Sequence, residues 1–428
     1  MKIFFDVIGC RLNQSEVEGF ANLFRALGHQ VVSDPSHADL AIVNTCAVTV
    51  KAAADSRKKL RRASRLGAPR VIATGCWATL YPQEARALSG VTGVCTNDSK
   101  EHLITDILEL DPEVASSLNL VREPLPGDRA RTRAFIKVQE GCDNYCTYCL
   151  TRLARGKSHS RKLPEIQRDI QAAVAGKAKE IVLSGVQLGA WGRDLSPPKG
   201  LENLLEGVLK MDGFNRLRFS SIEPWDFPLE LLDFWKERRL CRHLHIPLQS
   251  GSDATLRAMG RPTTTGLFFD LIDSIREAVP EIAITTDIIT GFPGETENDF
   301  AETKDFLHRI GFAGGHVFTY SPRPGTAAYL MKPGVPMKIA KARNAAVREI
   351  FKEGGHAYRD KFIGTQIPVL WEFHHQSKDC PSQLSGLTDT YIRVYANAEG
   401  EYWNQISLVS LERHHSQRDA LIGQIIAS

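Results

Sequence analysis

The stretch KVQEGCDNYCTYC, residues 137–149, contains Cys142, Cys146 and Cys149 in a CxxxCxxC array. The apolar run AFIKV (134–138) overlaps its start and is typical of a β-strand. Three thiolates on one loop can bind three irons of a [4Fe–4S] cluster and leave the fourth iron open for a chelating cofactor. A structural zinc site would usually have a fourth Cys or His nearby, and the nearest histidine is His159. The array therefore favours a cluster with one open iron over zinc.

Around this array, strand-like runs alternate with helix-like segments, and most runs begin about 30 to 45 residues apart. The six runs are AFIKVQEG (134–141), EIVLSGV (180–186), RLRFSSIE (216–223), HLHIPLQ (243–249), IAITTDIITG (282–291) and GGHVFTYS (314–321). This alternation predicts a partial (β/α)6 barrel of the TIM type over residues 133–358. In such a barrel the functional side chains follow the strands.

The remaining regions show two other patterns. Residues 1–115 alternate short apolar runs with helix-like stretches, which predicts a doubly wound parallel α/β domain. Residues 116–132 contain turn-forming proline and glycine and are predicted to be a linker. Residues 361–428 contain period-two runs such as QIPVLWEF (366–373), which predict a small all-β barrel.

Three cysteines in the N-terminal region each end an apolar run: Cys10, Cys46 and Cys76. The carboxyl ends of neighbouring parallel strands meet at one crevice, so these cysteines can converge although their spacing along the chain is uninformative. Two interpretations stay open at this point, a second cluster and three buried structural cysteines. The other cysteines stand singly and are predicted to be small buried apolar side chains; they are Cys95, Cys241 and Cys380.

The composition, 43% hydrophobic and 24% charged, is that of a globular protein. No apolar run approaches the roughly 20 residues that a membrane helix needs, and Asp6 interrupts the first apolar segment. We therefore expect a cytoplasmic protein with no membrane partner, whose nine reduced cysteines suit metal or cluster binding. The net charge of +3 permits a nucleic-acid partner without arguing for one.

Eight motifs spread over nearly the whole chain resemble the radical S-adenosylmethionine (SAM) methylthiotransferase family. They are GCRLNQSE (9–16), NTCAVT (44–49), TGCWA (74–78), KVQEGCDNYCTYC (137–149), ARGKSHSR (154–161), HIPLQSGSD (245–253), GFPGET (291–296) and YSPRPGT (320–326). Within the family, GCRLNQSE and RTRAFIKVQEGC (131–142) look most like the MtaB-type group, which acts on N6-threonylcarbamoyladenosine in tRNA. The C-terminal barrel, with GLTDTYIRV (386–394), resembles a TRAM domain, an RNA-binding module.

This resemblance implies two [4Fe–4S] clusters and SAM as cofactors. The SAM-activating cluster would be bound by Cys142, Cys146 and Cys149, and an auxiliary cluster by the trio that ends the N-terminal strands, Cys10, Cys46 and Cys76. One SAM would be cleaved reductively, and its radical would abstract hydrogen from C2 of the adenine. Sulfur from the auxiliary cluster would be added to that carbon, and a second SAM would methylate the sulfur. The resemblance also implies an electron donor such as flavodoxin or ferredoxin.

Residues after successive strands are predicted to contact SAM. Glycines let the backbone approach a ligand closely, and carboxylates can bind the ribose hydroxyls or the amino group. Each residue is a weak signal alone, and the argument rests on all of them following strands of one barrel. The predicted set is Tyr148, Gly185, Gln187, Glu223, Gln249, Ser250 and Asp287.

Two basic segments near the cysteine motifs are predicted to contact tRNA. The segment KAAADSRKKLRRASR (51–65) has seven basic residues against one Asp, and a second segment follows Cys149. Lysines and arginines grouped around a site attract phosphates, although a solvated helix face is the ordinary alternative for 51–65. The predicted contacts are Arg57, Lys58, Arg61, Arg152, Arg155, Lys157 and Arg161.

Two departures from the family pattern lie on the expected substrate side. Thr151-Arg152 stands where related enzymes usually carry Ile-Pro, and His159-Ser160-Arg161 stands where they usually have Arg-Ser-Arg. The substrate alternatives are isopentenyladenosine in tRNA and ribosomal protein S12. A cobalamin-dependent radical SAM methylase is disfavoured because residues 1–115 contain no DxHxxG motif. A non-enzymatic RNA-binding module would leave the two cysteine trios unexplained.

Overall fold

The computed structural model describes residues 1–126, 132–377 and 380–427, and the chain divides into two compact units. Unit 1 contains Met1–Asp212 and Ser321–Thr326, and unit 2 contains Gly213–Tyr320 and Ala327–Ser428. The domain boundaries predicted from the sequence remain predictions. Within the described ranges, none of the helices combines the length and the apolar character that a membrane crossing requires.

Unit 1 begins with a five-stranded parallel sheet in the order β2-β1-β3-β4-β5. Its strands are β1 (Lys2–Val7), β2 (Gln30–Val32), β3 (Leu40–Thr45), β4 (Arg70–Gly75) and β5 (Gly93–Val94). This is the flavodoxin-like order, in which the direction of winding reverses between β1 and β3. Ligands bind at such a switch point, outside the carboxyl ends of the strands.

The helices of unit 1 are α1 (Arg11–Ala26), α2 (Val50–Arg65), α3 (Cys76–Leu80), α4 (Pro82–Arg86), α5 (Leu103–Leu108), α6 (Pro112–Ser117), α7 (Thr151–Arg155), α8 (Leu163–Ala175) and α9 (Leu201–Leu209).

Helices cover both faces of the five-stranded sheet. Leu60 of α2 packs in one cluster with Val43, and Phe24 of α1 packs in another with Ile42. Because neighbouring strand residues point to opposite faces, the two clusters lie on opposite sides of the sheet. The doubly wound prediction is thus confirmed.

The six runs predicted for the (β/α)6 region all form strands. After β5, unit 1 contains β6 (Arg133–Lys137), β7 (Gln139–Glu140), β8 (His159–Ser160) and β9 (Glu180–Ser184), and β6 pairs with β9 in parallel. Unit 2 contains β10 (Arg216–Phe219), β11 (His243–His245), β12 (Ala283–Thr290) and β13 (Gly314–Thr319). Strands β11, β12 and β13 form a parallel sheet. The accompanying helices are α10 (Asp253–Ala258), α11 (Thr265–Ala278), α12 (Glu297–Ile310) and α13 (Met337–Asp360).

Short 3-10 helices connect several of these elements. They are Pro35–His37, Lys100–His102, Leu188–Ala190, Pro224–Asp226, Leu229–Lys236 and Ala327–Leu330.

The C-terminal strands close into a barrel in the order β14-β15-β16-β18-β17, as the period-two pattern predicted. They are β14 (Gln366–Ser377), β15 (Cys380–Thr388), β16 (Arg393–Asn397), β17 (Ile406–His414) and β18 (Leu421–Ala427). Val394 and Val409 fill the core beside Trp371, whose indole nitrogen donates to Ser407 Oγ at 3.1 Å. Trp371 is therefore a core residue and is not available for stacking on a base.

Two arginines of β10 attach this barrel to the rest of unit 2. Arg216 donates to the carbonyl oxygens of Leu387 and Pro368, at 2.8 and 2.7 Å. Arg218, which is fully buried, donates to the carbonyl oxygens of Thr388 and Asp389, both at 3.1 Å. Because all four acceptors are backbone carbonyl oxygens of the barrel, side-chain substitutions in the barrel do not remove them.

Candidate active site

Cys10, Cys46 and Cys76 come together at the carboxyl edge of the N-terminal sheet. Cys10 precedes α1 after β1, Cys46 directly follows β3, and Cys76 begins α3 directly after β4. The three thiols are close enough for each to interact electrostatically with the other two. Burial raises the pKa of the Cys46 thiol to about 12, and the charges of the neighbouring Cys76 and Cys10 add to the rise. A bound cation would reverse this by stabilising the thiolates.

Gly9 and Asn13 hold the loops of Cys10 and Cys46 close together. Gly9 has a φ of +111°, and a Cβ atom there would lie 2.9 Å from Cys46 Sγ, so the Cys10 loop approaches Cys46 as only glycine allows. The side-chain nitrogen of Asn13, Nδ2, donates to the carbonyl oxygens of Ile8 and Thr45, at 2.7 and 3.1 Å, which ties the two cysteine loops together. Asn13 lies within the motif GCRLNQSE but was not among the predicted site residues.

The second trio lies on the loop between β7 and α7. Its thiols are neither fully buried nor fully exposed. The amide of Cys142 donates to the carbonyl of Gly156 at 3.2 Å, and that of Thr151 donates to Cys149 Sγ at 3.4 Å. These backbone contacts fix the positions of Cys142 and Cys149 on the loop.

Gln139 holds this loop against the turn that follows β9. Its side-chain oxygen accepts from the amides of Val186 and Gln187, at 2.9 and 2.8 Å. Its side-chain nitrogen donates to the carbonyl oxygens of Glu140 and Gly141. Gln187 completes the connection, because its Oε1 accepts from the amide of Asp143 at 2.9 Å. Sequence reasoning missed Gln139, and the only signal was a polar residue between a buried strand and the cysteine array.

Both trios fit an iron–sulfur cluster better than a single metal ion. With Zn–S bonds of about 2.3 Å, sulfur ligands of one tetrahedral zinc stand roughly 3.8 Å apart. In the described part of the chain, neither trio brings its three sulfur atoms within 4.8 Å of one another. Thiolates that each bind a different iron of one cube stand further apart than ligands of one ion. The donor set and its spacing therefore suit two clusters.

A buried charge network surrounds Glu16 of α1. Arg155 Nη1 lies 2.9 Å from Glu16 Oε1, Lys100 Nζ lies 2.7 Å from Glu16 Oε2, and Arg155 also contacts Glu140. Burial opposes ionisation of Glu16, but Arg155 and Lys100 outweigh it and hold the pKa of this carboxyl well below its usual value. The side chain of Arg155 is only 2% exposed, which contradicts the prediction that Arg155 contacts tRNA. Its guanidinium is already neutralised inside the protein, so the residue is structural.

The other predicted tRNA contacts differ in accessibility. Lys58, Arg61 and Lys157 are exposed. Arg57 lies 5.7 Å from the Trp77 ring, and Arg152 stacks at 3.9 Å over the Tyr145 ring. Arg161 is an exception, because Asp169 Oδ2 lies 2.6 Å from its Nη1 and compensates its charge. Phosphate contact through Arg161 is therefore not supported. Five of the predicted residues are exposed or half-buried and remain candidates for phosphate contact; they are Arg57, Lys58, Arg61, Arg152 and Lys157.

The predicted SAM contacts fall in both units. In unit 1, Tyr148 and Gly185 are half-buried and Gln187 is buried beside the cysteine loop. In unit 2, Asp287 Oδ1 is buried without a hydrogen-bond partner among the described residues, while His245 lies 3.4 Å from Oδ2. An unsatisfied buried acceptor on a barrel strand suits a bound ligand.

The remaining predicted SAM residues of unit 2 have defined partners. Glu223 pairs with Arg261 at 2.7 Å, and Gln249 adopts a φ of +77° beside β12. Ser250 is buried, and its hydroxyl lies 3.4 Å from Thr303 Oγ1 of α12. This hydroxyl braces its own loop against α12, so a SAM contact through Ser250 is not supported.

Arg323 is a further residue that was not among the predicted site residues. It lies in the motif YSPRPGT, in the segment of unit 1 formed by residues 321–326. The guanidinium is buried and donates to the backbone carbonyl of Ala47, next to Cys46. The same segment accepts from the amide of Val50 through Ser321 Oγ at 3.3 Å. Residues 321–326 therefore support the loop that carries Cys46.

Two family models match the chain. The model described as "Radical SAM superfamily" matches residues 136–307, and the model described as "Uncharacterized protein family UPF0004" matches residues 2–96. The first range contains the Cys142 trio, and the second contains Cys10, Cys46 and Cys76. Each family model therefore covers one of the two cysteine trios.

Curated relatives match over most of the chain. The threonylcarbamoyladenosine tRNA methylthiotransferase MtaB of Thermotoga maritima is 38% identical over 93% of this chain and 92% of its own length. Its Bacillus subtilis counterpart is 33% identical over 91% and 89%. The tRNA-2-methylthio-N(6)-dimethylallyladenosine synthase of Clostridium tetani is 31% identical over 90% and 88%.

Among solved structures, the radical S-adenosylmethionine methyltransferase TsrM from Kitasatospora setae has a TM-score of 0.55 at 16% identity, over 77% of each chain. This likeness concerns the fold alone. The extent and identity of the curated matches, together with the two converging cysteine trios, show that this chain belongs to the radical SAM methylthiotransferase family.

Proposed function

We propose that this protein methylthiolates C2 of N6-threonylcarbamoyladenosine next to the anticodon of tRNA. The observation that carries the proposal is the presence of both cysteine trios within one compact unit, combined with 38% identity to a relative named for this substrate. The general chemistry belongs to the family, and the substrate is the part that the proposal adds.

The chain's own residues would act in three ways. Cys142, Cys146 and Cys149 would hold the SAM-activating cluster and the N-terminal trio the auxiliary cluster, while Asp287 and Glu223 would orient SAM. When bound, the two clusters and SAM supply a SAM-derived radical and a transferable sulfur. The remaining proposed SAM contacts are Tyr148, Gly185, Gln187 and Gln249. The basic residues with accessible side chains would bind tRNA phosphates.

Two further parts of the proposal follow from this chemistry. Reductive cleavage of SAM needs an electron donor, for which flavodoxin or ferredoxin has the required low potential. A tRNA substrate and reduced thiols suit a cytoplasmic location.

The test uses protein reconstituted with iron and sulfide under anaerobic conditions, SAM, a reductant and two tRNA pools. One pool carries threonylcarbamoyladenosine and the other isopentenyladenosine, and the nucleosides are identified by mass spectrometry. A methylthio gain on the first pool alone supports the proposal. A gain on the second pool alone overturns the substrate and favours the activity named for the Clostridium tetani relative.

Cysteine variants make the same assay specific for the two trios. Cys10→Ala and Cys142→Ala should abolish the product, whereas Cys95→Ala should retain it, because Cys95 belongs to neither trio. Full activity of the Cys10→Ala protein would contradict the role given to the N-terminal trio.

A further inference from the structure

A histidine, carboxylate and histidine group lies in unit 2, apart from all the cysteines. His356 and Asp360 are four residues apart on α13, so their side chains lie on one face of the helix. His414, the last residue of β17, lies opposite them. His414 Nε2 is 2.6 Å from Asp360 Oδ1, and His356 Nδ1 is 3.2 Å from Asp360 Oδ2.

The two imidazole rings are parallel and in contact. Their centroids are 3.7 Å apart, with an interplanar angle of 11°. Two stacked rings directed at one carboxylate form a concentrated set of nitrogen and oxygen donors.

The spacing of the donors fits a single metal ion. One ligand atom from each of the three residues lies within 4.8 Å of the other two. With metal–ligand bonds of about 2.0–2.1 Å, ligand atoms of a tetrahedral ion stand roughly 3.3 Å apart. The separation of His356 Nδ1 and Asp360 Oδ2 is already close to that value. Two parallel rings cannot both direct a nitrogen lone pair at one ion, so binding requires the His356 ring to rotate out of the stack. The side chains of His356 and Asp360 are 57% and 51% exposed, which leaves room for this rotation and for a coordinating water.

Two positive side chains next to the group are directed elsewhere. Arg359 is 3.4 Å from Asp419, and the Lys361 ammonium lies over the ring of Tyr358. The group therefore offers two imidazole nitrogens and one carboxylate to a divalent cation. Imidazole nitrogen favours ions such as zinc over magnesium or calcium.

We propose that His356, Asp360 and His414 bind one divalent transition-metal ion, most readily zinc. The ion bridges α13 to the last residue of β17 and fastens the C-terminal barrel to the helix that precedes it. Its role is structural, because the group contains no residue of either cysteine trio. The site is independent of the proposed substrate.

The test is zinc titration of the cluster-reconstituted full chain under anaerobic conditions, followed by calorimetry. We compare the wild type with His356→Ala, His414→Ala and the double variant, and His415→Ala serves as the matched control because it changes the neighbouring residue. Loss of an outer-shell partner alone costs about 10–100-fold in metal affinity, so loss of a ligand should cost at least as much. We expect one equivalent of zinc to bind to the wild type and to His415→Ala, and not to the double variant.

Thermal melting provides a second readout. Zinc should raise the melting temperature of the wild type and of His415→Ala and leave that of the double variant unchanged. Equal iron content in all variants verifies that each is folded around its clusters. The proposal is overturned if the double variant binds the same equivalent of zinc with wild-type affinity, or if the wild type binds no more zinc than the double variant.

Discussion

The guanidinium of Arg155 and the carboxylate of Glu16 form a buried ion pair, with Arg155 Nη1 2.9 Å from Glu16 Oε1. The two residues are 139 positions apart in the chain, and both side chains are 2% exposed. Glu16 lies one and a half turns into the helix that follows Cys10, and Arg155 ends the helix that follows Cys149. The pair therefore connects the supports of the two cysteine trios inside unit 1.

Removing Arg155 should be costly because it leaves Glu16 buried with one partner fewer. Breaking a buried pair by deleting one member typically costs about 3–5 kcal/mol. We expect Arg155→Ala to lower the melting temperature and the amount of iron retained. Lys236→Ala, which removes an exposed partner of Asp233, serves as the control and should melt like the wild type. If Arg155→Ala melted like this control, the buried pair would have no part in stability.

Glu16 also predicts the direction of a pH effect. Its folded-state pKa is held well below 4.5 by Arg155 and Lys100, so it binds fewer protons when folded than when unfolded. The stability from this group is present above about pH 4.5 and is lost as the pH falls towards the folded-state pKa. The melting temperature of Glu16→Gln should therefore fall less steeply on acidification below this value than that of the wild type. Parallel melting curves of the two proteins across this range would refute the assignment.

Gly141 lets the second cysteine loop pass close to the Lys157 backbone. It has a φ of +71°, and a Cβ atom there would lie 1.8 Å from the carbonyl oxygen of Lys157. Gly156 is a matched control, because its φ is +72° and no atom lies within 4 Å of its ideal Cβ position. Both alanine variants carry the strain of a left-handed backbone, but only Gly141→Ala adds a collision. We expect Gly141→Ala to lose about half of the bound iron, because only one of the two cysteine trios is disturbed, and to lose SAM cleavage. Gly156→Ala should retain both.

The exposed basic residues predict salt-dependent binding of tRNA. Lys58 and Arg61 lie on α2 with exposed side chains. Replacing both with Glu should weaken tRNA binding and reduce the slope of log K against log salt by roughly 0.7–0.9 for each phosphate that the protein no longer neutralises. Lys236→Glu reverses the charge of one exposed residue outside α2 and is the control for each single reversal. An unchanged slope in the double variant would remove α2 from the tRNA surface.

Much of the fold could be predicted because it depends on local patterns. The six strands of the (β/α)6 region and the strands before Cys10, Cys46 and Cys76 are apolar runs with clear ends. The convergence of these cysteines followed from the rule that carboxyl ends of parallel strands meet at one edge. These inferences needed no knowledge of individual side-chain contacts.

The partners of charged and polar residues could not be predicted, because they come from distant parts of the chain. Arg155 lies in a basic segment, and nothing in that segment indicates that Glu16 neutralises it. Ser250 lies in a motif rich in polar residues, and only the structure directs its hydroxyl to Thr303. The group of His356, Asp360 and His414 joins residues on a helix and a strand that share no motif.

Tyr391 joins the C-terminal barrel to β11 through its ring. It adopts a φ of +65°, and its ring stacks on His243 with centroids 3.9 Å apart and an interplanar angle of 10°. The Arg218 guanidinium lies 5.2 Å from the same ring. A bulky residue holds a left-handed backbone only where its surroundings stabilise it, so these contacts outweigh the strain.

Tyr391→Ala should therefore destabilise unit 2, while Tyr391→Phe, which keeps the ring, should stay close to the wild type. Aromatic pairs contribute about 0.5–1.5 kcal/mol to stability beyond the effect of their buried area. Each kcal/mol shifts the melting temperature of a domain the size of unit 2 by about 2–4 °C. Tyr395→Ala is the control, because the Tyr395 ring contacts His415 and Arg418 within the barrel. Thermal melting and limited proteolysis near residue 361 would detect a loosened barrel. If Tyr391→Ala were cleaved no faster than Tyr395→Ala, the arginines of β10 alone would be sufficient to hold the barrel in place.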